Sequence, residues 1–205
     1  MKFLKATILF SIMLFCSCNK DKTIKAVFQP DEVMGKDVVI SEAYETRNYS
    51  HLERLHLLSI SVQDTIDNDS RFLIRFGFAS IPQTAKIDSA FIYLKAIEPG
   101  HFGEKNSFYI QRSKSVWINK GVNWENQPEG EESDQILIDA PTDKMQPYKI
   151  DVTNYVKNVV NKTYPNYGYI FRLESEEKPY KGIRFCSSNH VDVDSRPKLE
   201  VFYKE

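Results

Sequence analysis

From Lys36 onward the chain alternates apolar and polar residues with a period of two, the signature of strands that bury one face. "SRFLIRFGF" (70–78) shows it most clearly. Phe72, Ile74, Phe76 and Phe78 share one side, and Arg71, Leu73 and Arg75 the other. "KIDSAFIYLKAI" (86–97) sets Ala90, Ile92, Leu94 and Ala96 against Phe91, Tyr93 and Lys95. Further strands are predicted at "KDVVI" (36–40), "RLHLLSISV" (54–62), "SFYIQRSKS" (107–115), "QILID" (135–139), "YKIDV" (148–152), "YGYIFRLES" (167–175), "GIRFCSS" (182–188) and "KLEVFY" (198–203). The links "DNDS", "SIPQ", "EPGHFGEKN", "NQPEGEE", "SEEKPYKG" and "SNHVDVDSRP" are rich in turn-forming residues. One segment breaks the alternation. "DVTNYVKNVVNK" (151–162) places Val152, Val156, Val159 and Val160 at helical spacing, with Asp151 or Thr153 available to cap its start. One short helix among roughly ten strands predicts an all-β fold, a two-sheet antiparallel jelly-roll β-sandwich.

The first residues do not belong to that pattern. Lys2 and Lys5 precede "ATILFSIMLF", an apolar run the size of a signal-peptide core and well short of the ~20 residues of a membrane span. The run ends at "LFCSCNKDK", where Ser17 directly precedes Cys18. This resembles a bacterial lipobox, with Cys18 diacylated after removal of residues 1–17; bulky Phe15 makes Cys16 the poorer candidate. The expected organisation is a lipoprotein signal peptide over 1–17, a tether over 18–35 and one β-sandwich domain over 36–205. The expected location is the bacterial outer membrane, on its surface or periplasmic face, held by lipid on one cysteine. Cys186 is then alone and unable to form an intrachain disulfide. A formal net charge of −1 leaves no global nucleic-acid footprint.

Several separated motifs share one resemblance. "GKDVVI", "RNYS" and "RFLIRFGFASIPQTAKIDSAFIYLKA" resemble the opening half of the DNRLRE-domain family. "VNWENQP" resembles that family's Trp-Asn-Asn-Gln-Pro turn. "KIDVTNYVKNVV" and "NYGYIFRLE…IRFCSSNHVDVDSRPKLEVFY" are similar to its helix and last strands. The resemblance covers about residues 30–205 and implies a jelly roll related to carbohydrate-binding module family 96. It also implies a non-catalytic module that binds polysaccharide, acidic plant or algal glycans included. Two departures matter. Ser50 stands where the family turn has Gly, and Gly77 stands where the family has Asp.

Three kinds of site are candidates. Arg71, Arg75, Tyr93, Lys95, Arg172 and Arg184 lie opposite the main apolar faces of their strands. Guanidinium forks pair with carboxylates and aromatic rings pack on sugar C–H faces, which suits a uronate-type glycan. The same residues also fit a solvated sheet face. Of the two tryptophans, Trp124 in the shared turn reads as a packing anchor; Trp117 also fits the core, but is the better of the two for an exposed sugar contact. For a structural calcium, Asp67 and Asp69 in one run and Asp192 and Asp194 in another offer oxygens, with Asp37 joining if the fold brings it near. Asp and Asn there also make turns. For catalysis, no pair of histidines has metal-ligand spacing, and no nucleophile elbow or phosphate loop appears. The reading is a membrane-anchored, non-catalytic polysaccharide binder, with an adhesion module that binds another surface protein as the alternative.

Overall fold

The computed structural model describes residues 22–30, 35–62, 66–104, 106–143, 145–177 and 180–205, and in it the alternating segments pair into two antiparallel sheets. The smaller sheet runs β1 (Ile24–Phe28), β12 (Lys198–Lys204), β5 (Lys86–Leu94), β9 (Tyr148–Asp151). The larger runs β6 (Ala96–Phe102), β11 (Lys181–Cys186), β3 (Arg54–Val62), β4 (Ile66–Arg75), β10 (Tyr169–Leu173), β7 (Phe108–Ser113), β8 (Gly130–Ile138). β2 (Lys36–Ser41) also pairs with β4. Along β4, Lys36 to Ser41 oppose Arg75 to Ser70, and Leu58 to Val62 oppose Ser70 to Ile66. The fold is the expected all-β sandwich with one helix.

The period-two pattern explains the core. Phe72, Ile74, Phe108, Ile110, Phe171 and Phe185 point inward from the larger sheet, and Ala90, Ile92, Leu94, Ile150, Leu199 and Val201 meet them from the smaller. Phe72 and Phe171 stack with centroids 4.3 Å apart. Helix α1 (Thr153–Val160) closes one end, burying Tyr155, Val156 and Val160. Its start is held as the sequence suggests: Asp151 Oδ1 accepts from the Thr153 amide at 2.8 Å. The Thr153 hydroxyl accepts from the Ala90 amide at 2.9 Å, which docks the helix on β5.

Several segments differ from expectation, among them the link "EPGHFGEKN", whose first five residues are strand in β6. The stretch predicted as a tether contains β1, which adds an edge strand to β12 with Ile24, Ala26 and Phe28 packed on the core. Five residues are too few for their alternation to stand out. The predicted strand over 86–97 divides at Lys95: β5 belongs to the smaller sheet and β6 to the larger, so the chain crosses between layers there. "DNDS" is strand rather than turn. Its polar Asn68 is tolerated because the buried amide oxygen accepts from the Ser41 hydroxyl at 2.7 Å.

A second, smaller core lies on the outer face of the larger sheet. Val38, Ile40, Leu73 and Ile170 point outward there and are covered by Trp117 and Val122. The segment 114–129 therefore acts as a strap. The Trp117 indole N–H donates to the Tyr167 carbonyl at 2.7 Å, and the Asn48 amide donates to the carbonyls of Asn119 and Val122, both at 2.7 Å. Asn48 also accepts from the Ser50 amide at 3.2 Å. Ser50 needs no left-handed backbone; among the described non-glycine residues only Lys162 has positive φ.

Candidate functional site

The strap covers only part of the outer face. Beyond it, Arg71 on β4 and Arg172 on β10 remain accessible, with Tyr109 opposite Arg172 on β7. A groove of about 700 Å³ runs between these strands and residues 127–132; Arg71, Gln111, Lys114, Gln127 and Arg172 line it. Gly130 lets its wall come close, since a Cβ there would lie 2.2 Å from Gln111 Oε1. The Gln111 amide donates to Gln135 at 2.7 Å, which ties the floor to β8.

The two arginines differ in what they have left to offer. The Arg71 guanidinium holds the Glu176 carboxylate bidentately, at 2.8 and 2.5 Å, and donates to Gln127 Oε1 at 3.0 Å. It also stacks over the Trp124 ring at 4.5 Å. Gln127 in turn donates to the Trp124 carbonyl at 2.9 Å. Arg71 thus clamps the strap to the 174–177 turn, and its charge is spent. Arg172 stacks on Tyr109 at 5.3 Å and has no carboxylate partner among the described residues. The opposite wall carries Glu129, Glu131 and Glu132. Glu129 pairs with Lys114 at 3.5 Å and Glu131 with Arg112 at 3.4 Å.

The other sequence candidates lie elsewhere. Arg75 shares the outward side of β4 with Arg71, but Leu73 and the apolar patch under Trp117 lie between them. Arg184 on β11 faces His56 on β3, three strands from β10, and stacks on Phe102 at 5.3 Å. Burial, with the charges of Arg184 and Arg54, pushes the His56 pKa down to about 4. Tyr93 is on the outer face of the smaller sheet, between Lys149 and Lys198. Lys95 donates to the Ser195 hydroxyl at 2.7 Å and lies 3.9 Å from Asp192. Trp117 is 4 % exposed, so it is the anchor, whereas Trp124 is half-buried at the edge of the groove. The expected sugar contact at Trp117 is overturned, because the strap turns it inward over Leu73; Trp124 packs against the same second core as a partly buried ring.

The candidate calcium ligands occupy three separate places. Asp37 is buried on β2 and accepts from the Ser188 amide and hydroxyl, both at 2.7 Å. Burial raises its pKa to about 6 against the pull of those bonds and of Arg196. Asp67 and Asp69 are at the other end of β4; burial also raises Asp69 to about 6, with Glu176 and Glu42 nearby. Asp192 caps a 3-10 turn at Val193–Ser195, accepting from the Asp194 amide at 3.1 Å. Asp194 stays exposed. Among the described residues no three His, Cys, Asp or Glu side chains are grouped to hold a metal ion. Cys18 lies outside the described residues.

The sequence profile of carbohydrate-binding module family 96 matches residues 32–203. The chain belongs to that family. The matched span of the family 96 module begins after β1 and ends within β12, so it includes the larger sheet, the rest of the smaller one, the strap and the groove. No curated protein matches the chain significantly. Tyr109, Lys114 and Gln111 were not legible as site residues. Tyr109 and Gln111 alternate with core residues on β7, as on any half-exposed strand.

Proposed function

We propose that this family 96 module is a non-catalytic unit that holds an acidic, uronate-type polysaccharide in the groove on the outer face of the larger sheet. The observation that carries the reading is Arg172. It is a guanidinium in a groove, supported from one side by an aromatic ring, with no internal carboxylate among the described residues to neutralise it. A planar fork of this kind pairs two N–H donors with one carboxylate, and the Tyr109 ring stacked against it holds it in place. Lys114, at the groove's end, is already paired with Glu129 and adds little free charge. Arg71 and Trp124 shape the wall without spending a free charge on the ligand.

Affinity electrophoresis tests the assignment. Alginate or pectin in the gel is expected to retard the mature chain more than neutral glycans do. Arg172→Ala should remove most of that retardation, at least tenfold in apparent affinity, while the fold is retained. Equal retardation of wild type and variant would take the groove out of the site.

The "LFCSCNKDK" motif supports an exported lipoprotein anchored through Cys18 to the outer membrane. Cys18→Ser should shift the protein from the membrane fraction to the soluble fraction. A variant that stays in the membrane fraction would sink the lipid anchor.

A further inference from the structure

The sandwich has a second opening, independent of the groove and its arginine. Where β7 and β8 part from β5 and the start of α1, a cleft of about 720 Å³ reaches inward between the sheets. Tyr155 and Tyr169 form its inner end, with ring centroids 4.4 Å apart. The Tyr155 hydroxyl accepts from the Gly168 amide at 3.1 Å. The Tyr169 hydroxyl is buried and finds no partner among the described residues, although the residue as a whole is only 4 % exposed. A buried hydroxyl without a partner is uncommon and costly, and the lining of a cleft is where a ligand can supply one.

The walls say which ligand. Asp88, Asp134 and Asp151 line the cleft, and Arg112 is the one cation among its lining residues. Arg112 is already shared between Asp134 and Glu131, both at 3.4 Å, and stacks on Tyr164 at 4.1 Å. An incoming carboxylate would meet an excess of negative charge in a partly desolvated space. A neutral sugar would not. Its vicinal hydroxyls donate to carboxylate oxygens, and the Tyr169 hydroxyl completes the set.

We propose that this inter-sheet cleft is a second carbohydrate site, taking one unit of a neutral glycan, with Asp134 and Asp151 accepting from sugar hydroxyls and Tyr169 bonded to a third. It differs from the outer-face groove in charge preference, so the two can be tested apart.

Isothermal titration of the full mature chain with cellohexaose, mannohexaose and xylohexaose, alongside an alginate hexauronate, separates the outcomes. At least one neutral oligosaccharide is expected to bind. Tyr169→Phe should weaken that binding about tenfold, leave the hexauronate unaffected, and raise the Tm of the free protein, because an unpaired hydroxyl is removed. Asp134→Asn should also weaken the neutral sugar. Arg172→Ala should spare the neutral sugar, so loss of hexauronate binding alone bears on the groove and not on the cleft. No binding of any of the three neutral sugars overturns the proposal, as does neutral binding that both Tyr169→Phe and Asp134→Asn leave unchanged. A Tyr169→Phe variant with lower Tm and unchanged sugar affinity would also overturn it, since that is the signature of a packing role.

Discussion

Trp117→Ala should cost about 3–5 kcal/mol of stability, because a 4 % exposed indole leaves a cavity among Val38, Ile40, Leu73 and Ile170 and orphans the Tyr167 carbonyl. Trp124→Ala should cost about 1 kcal/mol, since that ring is only half-buried against the second core and stacks on the Arg71 guanidinium. Urea unfolding of the two variants measures the difference; equal losses would contradict the assignment of anchor and groove edge. Asp37 gives a pH prediction. Burial raises its folded pKa to about 6 from an ordinary 3.8, so the folded state holds the proton more tightly than the unfolded chain. The stability contributed by protonated Asp37 is present below pH 3.8 and is lost as pH rises through 6. The difference of about two units corresponds to about 3 kcal/mol. Asp37→Asn cannot titrate, so its stability relative to wild type should improve by about that amount between pH 3.5 and 7; a constant difference would show that Asp37 is not desolvated. At this scale the sequence was legible only in part. Arg71 and Arg172 were found because alternation places them outward. The sequence could not show that Glu176, 105 positions away, neutralises one and leaves the other free.

Strand alternation carries further at the scale of elements, because side-chain direction along a strand is local. The faces of β4, β5 and β12 follow directly from it. What it misses are the segments where polar residues satisfy one another inside a strand, as in Asp67–Ser70, or where a strand is short, as in β1. The strap 114–129 was also hidden. Nothing in its own composition says that it folds back over an outward apolar patch; the signal lies in the outward Val38, Ile40 and Leu73, which a solvated face would not carry. Gly168, in the turn between α1 and β10, sits where no side chain fits. Its φ is +83°, and a Cβ would lie 2.4 Å from the Ile74 carbonyl oxygen. Gly168→Ala combines left-handed strain with a backbone clash and should cost about 2–4 kcal/mol, read as a lower urea midpoint. Because the turn also positions the Tyr155 hydroxyl, looser packing at α1 should accompany it. An unaffected midpoint would mean the turn can adopt another backbone.

For the whole molecule, the inward faces of two sheets form one continuous core, and function is left to the surfaces that the core does not need. Those surfaces are chemically unlike. The groove presents a free guanidinium beside a tyrosine, and the cleft between the sheets presents carboxylates and an unmatched hydroxyl. A net charge of −1 averages such differences away, which is why composition gave no hint of them.

The position of β1 has one more consequence. The first residue paired into the sandwich is Ile24, opposite Tyr203. With lipid on Cys18, only residues 19–23 lie between the acyl chains and that strand. Fully extended, that length reaches about 20 Å. A domain of this size has a radius of gyration of about 16 Å and so is about 40 Å across, roughly twice the length of the leash. Such a module can tilt and swivel but cannot sweep through the surrounding medium. On the proposed lipid anchor it would be a fixed hook at the bilayer, and a glycan would have to come to the membrane to be held.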